Sequence, residues 1–585
     1  MKVLFYVPYS NIWLHSSVEA VLADQLSRDG HDVIVVRCKG LLNHFCPAMS
    51  EAGLPQDSES SRKEQICSKC ISRGKNIDSE YRFNSISLDS YSNSSDVEII
   101  NSWKSELSNE KWADFELENI PLGRIAAYEF LLTNKLNSRI IPSNLWPYYL
   151  GQFINTANTY LSMQRLILDQ KPEGIIVHNS LYSSNRVVVK IAEHLDIPTF
   201  HLGVGTDLKH YGDSFSLYSS IQDEIELNTS DGWKSVSSQP LTEERVKPVI
   251  ENFLQAAKSK SAFTYSSKVE GTKPSELLTQ LGMGKDLPVC VALLSSADER
   301  FAADLVGALP YSLAELDTLN FNSQIDWVKY LIELFSKRDD IQLVIRVHPR
   351  LFPNKREKVL SEAGQALKEA FSELPDNVTI NWPEDNIALY DLAQITDVCL
   401  NATSSAGGEL LALGIPVVCH EPERLFAYPR EFNIVPAGIS DYESAIDEAL
   451  RQGWTYTNTL NAFRWKAFQF NDVARSLAES LPLRSKWSLL RIANGIDLRT
   501  KYPVPQFILR FLERIEMKRR AKNIDAAGDL EDLITHNHKN LSEVCSLSLR
   551  SPSSLDELNE KSIVLAARDE LYFSFFGEIP EKVNQ

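Results

Sequence analysis

The stretch from Asp397 to His420, DVCLNATSSAGGELLALGIPVVCH, constrains the fold more than any other part of the chain. It begins with an apolar run without alternation, Asp397–Ala402, and ends in a second run, Pro416–His420. Such runs are typical of parallel strands that are covered on both faces. Between them, the polar turn Thr403–Ser405 can cap a short helix, which Gly414 would end. The pattern therefore predicts a strand–turn–helix–strand unit of a doubly wound α/β sheet.

The turn inside this unit has the properties of an anion site. The free N–H groups and the positive dipole end of the following helix favour a phosphate. The small residues Ala406, Gly407 and Gly408 would let a ligand approach the backbone closely. Glu409 follows in the same helix and is expected to accept hydrogen bonds from sugar hydroxyls. An ordinary strand–helix turn without a ligand is the alternative interpretation.

Two further strands carry polar residues at their carboxyl ends. Ile341–Val347 leads into the sequence RVHPR, and Pro288–Ser295 leads into serines and acidic residues. Ligands of open α/β sheets bind at the carboxyl ends of strands, and cationic side chains there suit a phosphate. The candidate donor-binding residues are Arg346, His348, Arg350, Ser295, Ser296, Thr403, Ser404, Ser405 and Glu409.

RVHPR followed by TSSAGGELLALGIPVV resembles the donor half of GT-B glycosyltransferases. The combination of an HP and an SS motif is similar to that of bacterial capsule-polysaccharide enzymes such as Kdo and sialic acid transferases. The spacing from Glu409 to Gly414 and Pro416 also matches the E-A-x-x-x-G-x-P pattern of GT-B donor domains, with Leu410 where alanine is usual. The resemblance implies two Rossmann-like, doubly wound domains that face a cleft, with the nucleotide held by the second domain.

With 585 residues, the chain exceeds what one hydrophobic core usually covers. We expect an acceptor-side domain over residues 1–245 with a Cys-rich loop and a helical insertion, the latter within Trp103–Gln170. A donor domain over residues 275–480 and a helical C-terminal extension over residues 481–585 would follow. The polar segment Glu51–Asn101 is interpreted as loops. A helical stretch over Leu460–Leu481 is expected to cross back to the first domain, as GT-B chains do.

Net charge and hydropathy exclude some classes of function and location. The formal net charge of −18 argues against a general nucleic-acid binder. No apolar run approaches the length of a membrane span, and the sequence opens on a strand pattern, so a cytoplasmic location is expected. The amphipathic segment Phe507–Lys522 has a basic end that suits peripheral contact with an anionic membrane at its inner face. A solvated helix that packs on the protein body is the alternative.

The N-terminal pattern is a strand over Met1–Pro8, a loop, and a helix over Ser17–Arg28. It is Rossmann-like but lacks G-x-G-x-x-G, which disfavours a dinucleotide cofactor. His15 lies on the predicted loop at the carboxyl end of the strand. The GT-B resemblance implies that His15 is the base that deprotonates the acceptor hydroxyl, a role that suits the pKa of imidazole. A histidine that only caps the first helix or packs on the loop is the alternative.

The strand Gly174–Asn179 and the helix Ser183–Leu195 predict a second polar strand end in the first domain. Asn179, Tyr182 and Arg186 are the candidate acceptor-binding residues there. Arg186 can pair with an acidic sugar or an acceptor phosphate. A purely structural arginine is the alternative.

Four of the eight cysteines, Cys38, Cys46, Cys67 and Cys70, fall in one short window, the last two as Cys-x-x-Cys. This set is compatible with a structural zinc or an iron–sulfur cluster, and equally with four reduced thiols. Four thiolates leave no open coordination position, so any metal there would be structural. No DxD-like motif suggests a catalytic metal, and no cofactor is expected to be required for catalysis.

The leading interpretation is a glycosyltransferase of surface or capsular polysaccharide biosynthesis. It would transfer a sugar from a nucleotide-sugar donor to a saccharide or lipid-linked acceptor. The HP and SS motifs favour a CMP-linked donor, and UDP- and GDP-linked donors remain open. A nucleotide-sugar epimerase or a polyol-phosphate transferase could use the same fold. A non-catalytic GT-B-like scaffold of polysaccharide assembly is a third interpretation.

Overall fold

The computed structural model describes residues 1–204, 214–227, 230–258, 265, 267–284, 286–309, 321, 323–354, 358–371, 373–419, 428–477, 507–508, 511–512 and 557–580. Its strands are β1 Lys2–Tyr6, β2 Asp32–Arg37, β3 Asn84–Ser87, β4 Gly174–His178, β5 Thr199–Val204, β6 Ser214–Tyr218, β7 Val289–Leu293, β8 Gln342–Arg346, β9 Val378–Asn381, β10 Val398–Asn401, β11 Val417–Cys419 and β12 Arg475–Ser476. They form two sheets, one in each half of the molecule.

The helices alternate with these strands over most of the described chain. In the first half they are α1 Trp13–Arg28, α2 Pro47–Glu51, α3 Ser60–Glu80, α4 Asp96–Glu106, α5 Leu122–Ile125, α6 Tyr128–Asn134, α7 Trp146–Gln170, α8 Ser183–His194, α9 Ile221–Leu227 and α10 Ser230–Val236. The remaining helices are α11 Glu243–Ala257, α12 Pro274–Gln280, α13 Ala297–Leu305, α14 Gln324–Phe335, α15 Glu362–Ala370, α16 Leu389–Ala393, α17 Ala406–Ala412, α18 Tyr442–Gln452, α19 Tyr456–Asn471 and α20 Glu557–Phe576.

The first sheet has the order β12-β6-β5-β4-β1-β2-β3 among the described strands. Strands β1 to β5 run parallel, with Val3 opposite both Val33 and Gly174. All five residues of β4 are buried, which explains its continuous apolar run, because helices cover both faces of a parallel sheet. Strand β6 pairs antiparallel with β5.

The second sheet has the order β11-β10-β7-β8-β9 and is parallel throughout. Val291 in the central strand β7 lies between Cys399 of β10 and Val344 of β8. The three strands whose ends carry the predicted donor-binding residues are therefore neighbours. This confirms a doubly wound sheet around the unit Asp397–His420, within the residues described.

The interpretation of Glu51–Asn101 as loops is wrong. The segment contains the long helix α3, the strand β3 and the start of α4. Few residues of α3 are buried, so its polar sequence hid the helical periodicity. Contacts with the sheet hold it instead: Arg37 pairs with Asp78 at 2.8 Å, and Arg73 donates to the Asn11 carbonyl at 2.7 Å.

The predicted helical insertion is present, as helices α4 to α7 between β3 and β4. Its longest helix, α7, buries Tyr149, Phe153 and Met163 completely. It packs against α8, which leads out of the first sheet. The insertion thus shares the hydrophobic core of the first half.

The chain returns from the second half to the first, as predicted, but the helix expected over Leu460–Leu481 ends before residue 472, and residues 478–481 lie outside the described part of the chain. Helix α19 ends at Asn471, and β12 then pairs antiparallel with β6, with Arg475 opposite Phe215. Further along the chain, α20 packs on α11 and α19. Val564 and Leu571 of α20 are fully buried, so this helix belongs to the core next to the second sheet.

Three buried cationic side chains connect the two halves through backbone carbonyls. Lys135, only 1% exposed, donates to Phe352 at 2.8 Å and to Val359 at 2.7 Å. The Nη2 atom of Arg350 donates to the Leu132 carbonyl at 3.1 Å. Arg186 donates to the carbonyls of Val306 and Gly307. The helical insertion is therefore fastened directly to the second half.

Among the described residues, no helix combines the length and apolar character needed to cross a bilayer. The predicted amphipathic segment Phe507–Lys522 lies almost entirely outside the described residues, with only 507–508 and 511–512 included. Its membrane role stays a prediction.

Candidate functional site

The polar residues at the ends of β7, β8 and β10 are brought to one edge of the second sheet, as the sequence predicts. The Thr403 hydroxyl donates to the Ser295 hydroxyl at 2.9 Å, which ties the end of β10 to the end of β7. His348 follows β8 on the other side of β7. The turn Thr403–Ser405, here called the serine turn, follows a strand two positions away from the strand that leads to His348. Neighbouring strands lie about 4.8 Å apart, so about 10 Å separates the two strand ends. Side chains that reach over β7 from both sides can contact one ligand.

The serine turn is held from below by Asn401. Its side chain accepts from Ser404 N at 3.0 Å and donates to the Ser404 carbonyl at 2.9 Å. The Asn401 side chain also donates to the Tyr428 hydroxyl at 2.9 Å. Ser405 is exposed and Ser404 is partly exposed, and the Ser404 hydroxyl accepts from Ala406 N at 3.3 Å.

The glycines after the turn have a different role from the one predicted. A side chain on Gly407 would collide with Asn401 and Tyr428, and one on Gly408 would press on the Tyr428 ring. Their small size thus serves packing within the protein. Packing therefore explains why both positions are glycine, without close approach of a ligand.

His348 is partly buried at the start of the short 3-10 turn Pro349–Leu351. Its Nδ1 accepts from the Arg350 backbone N–H at 3.2 Å. Burial, and then the cations Arg346 and Arg350, lower the pKa of His348 to about 4, against an opposing effect of Glu299. The ring is therefore neutral at pH 7 with its proton on Nε2. It can donate one hydrogen bond to a phosphate oxygen.

Arg346 and Arg350 are predicted as phosphate ligands, and the geometry corrects both assignments. Arg346 is buried, and its Nη1 donates to Asn381 at 2.7 Å and to the Ile387 carbonyl at 2.9 Å. Arg350 is 3% exposed and forms an ion pair with the buried Asp298 at 2.8 Å. Both guanidinium groups are engaged inside the protein, because buried cations require partners.

Glu409 is likewise placed differently from its predicted contact with sugar hydroxyls. It accepts from the Tyr390 hydroxyl at 2.5 Å, and burial raises its pKa. Lys466 of α19 opposes this rise. In this structure, Glu409 thus links α17 to α16 and α19. Ser296 donates to Glu299 and is partly exposed at the same strand end as Ser295.

On the opposite side, the ends of β1 and β4 place His15 against His178. The two rings stack with centroids 3.9 Å apart at an angle of 25°. Helix α1 begins at Trp13, so His15 lies in its first turn and not on the preceding loop as predicted. Burial lowers the pKa of His15 to about 4, so the imidazole is neutral at pH 7.

One of the three predicted acceptor residues, Tyr182, lies beside His15, and a second, Asn179, directly follows His178. The Tyr182 ring is 6.2 Å from the His15 ring and 5.9 Å from the Tyr9 ring. Asn179 adopts φ 45° at the turn after β4, and its side chain accepts from Leu181 N at 3.3 Å. Arg186 is only 1% exposed and bonded to Val306 and Gly307, so its acceptor role is corrected to a structural one.

Glu129 is a site residue that the sequence interpretation missed. From α6, it accepts from the Ser183 backbone N–H at 2.9 Å and from the Ser183 hydroxyl, at the start of α8. Burial raises the pKa of this carboxyl to about 7, against the opposing effect of these hydrogen bonds. A single carboxylate within the apolar run LGRIAAYEFLL was the only sequence signal.

The four predicted metal ligands, Cys38, Cys46, Cys67 and Cys70, line one cavity of about 30 Å³ behind the loop after β1. Burial raises the pKa of each thiol, that of Cys38 to about 12. Within the described ranges, no group of three or more His, Cys, Asp or Glu side chains is arranged to hold a metal ion. The convergence of the thiols agrees with the prediction, but their spacing does not form a metal centre as it stands. Metal binding stays a prediction.

No family model matches the sequence, and no curated protein matches it. Among solved structures, the chain is similar to KpsC, a beta Kdo 2,4 transferase of Thermosulfurimonas dismutans, at 13% identity over 50% of this chain and 79% of that chain, with a TM-score of 0.30. It is similar to a putative UDP-N-acetylglucosamine 2-epimerase of Listeria monocytogenes, at 11% identity over 95% and 99% of the two chains and a TM-score of 0.24. It is also similar to the calicheamicin glycosyltransferase CalG4, at 14% identity over 80% and 93% and a TM-score of 0.24.

At TM-scores this low, these similarities carry no argument, and the strand orders decide the fold. Two doubly wound sheets present strand ends with polar residues, and the chain crosses back so that β12 completes the first sheet. This architecture of two doubly wound sheets is the one that the resemblance to GT-B enzymes implies. At the end of the second sheet lie the neutral hydrogen-bonding groups His348 and the hydroxyls near Ser295. At the end of the first sheet lies the neutral imidazole of His15, next to aromatic rings.

Proposed function

We propose that the protein is a glycosyltransferase that moves a sugar from a nucleotide-sugar donor to a saccharide or lipid-linked acceptor. The observation that carries the proposal is the hydroxyl cluster of Thr403 and Ser295, with His348 one strand further along the same sheet edge. These groups donate hydrogen bonds without adding charge. Such donors stabilise the negative charge that develops on a leaving phosphate.

The proposed reaction is a displacement at the anomeric carbon of the donor. The acceptor oxygen forms the new glycosidic bond, and the bond from the anomeric carbon to the phosphate oxygen breaks. The nucleotide leaves with that electron pair, and His15 takes the proton of the acceptor hydroxyl. Tyr182 and Asn179, beside His15, would contact the acceptor. The HP and SS motifs support a CMP-linked acidic sugar as donor and a role in surface or capsular polysaccharide synthesis.

Calorimetric titration with CMP, UDP, GDP and CDP tests the donor site. Replacing His348 by alanine should weaken binding of the preferred nucleotide by about 1.5–3 kcal/mol, the typical contribution of a hydrogen bond to a charged group. Replacing both Ser404 and Ser405 should weaken it less, because the backbone N–H groups remain. Since both contacts share one ligand, the triple variant should be non-additive.

His194→Ala is the matched control, because His194 is exposed in the last turn of α8. Nucleotide affinity equal to wild type in His348→Ala would refute the donor site. Product analysis with nucleotide sugars then separates transfer from epimerisation and from polyol-phosphate transfer. Tight nucleotide binding without turnover of any donor–acceptor pair would favour a non-catalytic scaffold.

A further inference from the structure

The His15–His178 pair joins two elements that end at the same place. His15 is the third residue of α1, and His178 is the last residue of β4. Strand β4 is the direct neighbour of β1, from which the chain enters α1. With centroids 3.9 Å apart and planes at 25°, the two rings contact each other face to face. The orientation of His15 is therefore set by a ring on the adjacent strand.

His178 is an unusual residue for this position. It is 4% exposed, and its Nδ1 has no hydrogen-bond partner in the structure. A buried polar atom without a partner destabilises a fold, so an apolar residue would suit the end of β4 better on stability grounds alone. The neighbouring Asn185 side chain donates to the backbone carbonyl of His178 and not to its ring. The His15 side chain contacts the flat face of the His178 ring.

Among the described residues, no carboxylate forms an ion pair with His15. Glu19, one turn further along α1, has its pKa raised to about 8 by burial, so it is mostly protonated at neutral pH. The N-terminal end of α1 carries a positive partial charge, which also disfavours an imidazolium. His201, beyond His178 on β5, pairs with Glu224 at 2.9 Å. Other described titratable groups nearby are Tyr182 at the start of α8, whose ring centroid is 6.2 Å from that of His15, Tyr9 on the loop after β1, and Glu129 of α6, which accepts from Ser183 N.

We infer that His178 is the positioning residue for His15: its stacked ring fixes the orientation of the imidazole at the carboxyl ends of β1 and β4, where the proposed acceptor binds. The inference rests on the proposed function for the role of His15 as base. The fixed orientation and the neutral state are properties of the protein alone.

In the proposed reaction, the basicity of His15 depends on whether the donor is bound. Burial holds the pKa of His15 near 4 in the folded protein, too low for an efficient base at pH 7. A nucleotide phosphate in the cleft brings negative charge, which favours the imidazolium and raises this pKa. The proton of the acceptor hydroxyl is thus accepted most readily when the leaving group is present. Water that enters without donor meets a weak base.

Histidine titration in the full-length protein tests the inference without any need for turnover. The chain is labelled with ¹³C at histidine Cε1, and the His15 signal is assigned by its loss in His15→Gln. In wild type, its midpoint should lie well below 6.5. His178→Phe keeps a stacked ring and should leave the midpoint low. His178→Ala opens the face of His15 to solvent and should move the midpoint towards 6.5.

Turnover gives the second readout. His178→Ala should lower kcat about 10- to 100-fold, as is typical when a supporting residue of a site is lost, with the KM for the donor little changed. His178→Phe should recover most of it. His194→Ala should change neither measurement.

An unmoved His15 midpoint in His178→Ala would overturn the inference, as would equal shifts in the alanine and phenylalanine variants. If His178→Ala does not fold, a low midpoint and near-normal kcat in His178→Phe support the inference, and a raised midpoint or a large loss of kcat refutes it. The proposed function fails separately, when no donor is turned over although the titrations behave as expected.

Discussion

At the scale of single residues, the site combines groups whose charge state is set by burial. His15 and His348 have their pKa values lowered to about 4, and Glu129 has its pKa raised to about 7. All three lie at strand ends or helix starts, where polar groups enter the edge of an apolar core. Burial disfavours the charged form of all three groups, and it thereby makes the stability of the protein depend on pH.

Glu129 should produce a measurable part of that dependence. Its pKa is higher in the folded than in the unfolded protein, so the folded state binds more protons between pH 4.5 and 7. Its contribution to stability is complete below pH 4.5 and is lost as the pH rises through 7. Glu129→Gln removes the ionisation while keeping an oxygen for the Ser183 N–H. The stability of the variant relative to wild type should therefore increase across this window, by on the order of 1–3 kcal/mol.

Urea unfolding of both proteins from pH 4.5 to 8 measures the difference. Glu106→Gln is the control, since Glu106 is exposed at the end of α4. A difference between Glu129→Gln and wild type that stays constant with pH would show that Glu129 does not titrate in this range.

At the scale of elements, α20 is part of the core although some eighty residues before it lie outside the described chain. Glu560 accepts from Leu241 N at 2.7 Å and from Arg464 Nη2 at 2.8 Å. The Tyr572 hydroxyl donates to the Leu413 carbonyl at 2.5 Å, and the Phe575 ring stacks on Tyr390 with centroids 4.6 Å apart. Tyr390 in turn holds Glu409, so α20 supports the helices behind the second sheet.

Glu560→Ala should lower the free energy of unfolding by about 2–4 kcal/mol, because it leaves the buried Leu241 N–H and the Arg464 guanidinium without this partner. The double variant with Arg464→Met should lose less free energy of unfolding than the two single variants lose in sum, since both changes remove the same interaction. Denaturant unfolding measures all three variants. Glu570→Ala, an exposed change on the same helix, should stay within about 0.5 kcal/mol of wild type. A similarly small effect of Glu560→Ala would mean that α20 does not dock through this pair.

The cysteine cluster brings α2 and α3 together at the end of β2, and its metal content can be measured directly. If the thiols close around zinc, the purified protein should contain about one zinc ion per chain, bound more tightly as the pH rises because the thiols must lose protons. Replacing Cys67 and Cys70 by serine should release it. The control is Cys545→Ser, outside the described residues. If anaerobically prepared protein shows neither zinc nor an iron–sulfur absorption band, the four cysteines are reduced thiols.

The elements with strong apolar periodicity could be predicted from the sequence. The directions in which long polar side chains point could not. Buried strands such as Ile341–Val347 and the unit from Asp397 to His420 were predictable because both faces of a parallel sheet are covered. The polar helix α3 was not, because its stability comes from contacts with Arg37 and Asn11 that lie far away in sequence. Arg350 carries the right charge for a phosphate, but only the fold reveals that Asp298 already pairs with it.

At the scale of the whole molecule, the two halves are fastened by interactions that cross between them. Lys135 is the clearest example, a buried lysine in the left-handed region, φ 51°, that donates to two carbonyls of the other half. Arg186 and Arg350 act in the same way from opposite directions. These links join the helical insertion to the edge of the second sheet that carries His348.

Lys135→Met should loosen this connection. Two carbonyl acceptors lose a charged donor, so the free energy of unfolding should fall by about 2–4 kcal/mol. Amide hydrogen exchange around Phe352 should become faster. Lys171→Met is the matched control, because Lys171 also ends a helix with φ 48° but is exposed. Unchanged exchange around Phe352 in Lys135→Met would show that the two halves are held by other contacts.

The return of the chain to β12 and the docking of α20 have a consequence for synthesis on the ribosome. Strand β6 pairs with Arg475–Ser476, and α11 packs against α20, which ends at Phe576, so both need partners that are synthesised much later. The first sheet can therefore not be completed before Ser476 has been synthesised, and the core around α11 not before Phe576. During translation, the open edge of β6 and the apolar face of α11 are left without their final partners, and such exposed surface makes folding intermediates prone to aggregation. The second half is thus the half that is completed last.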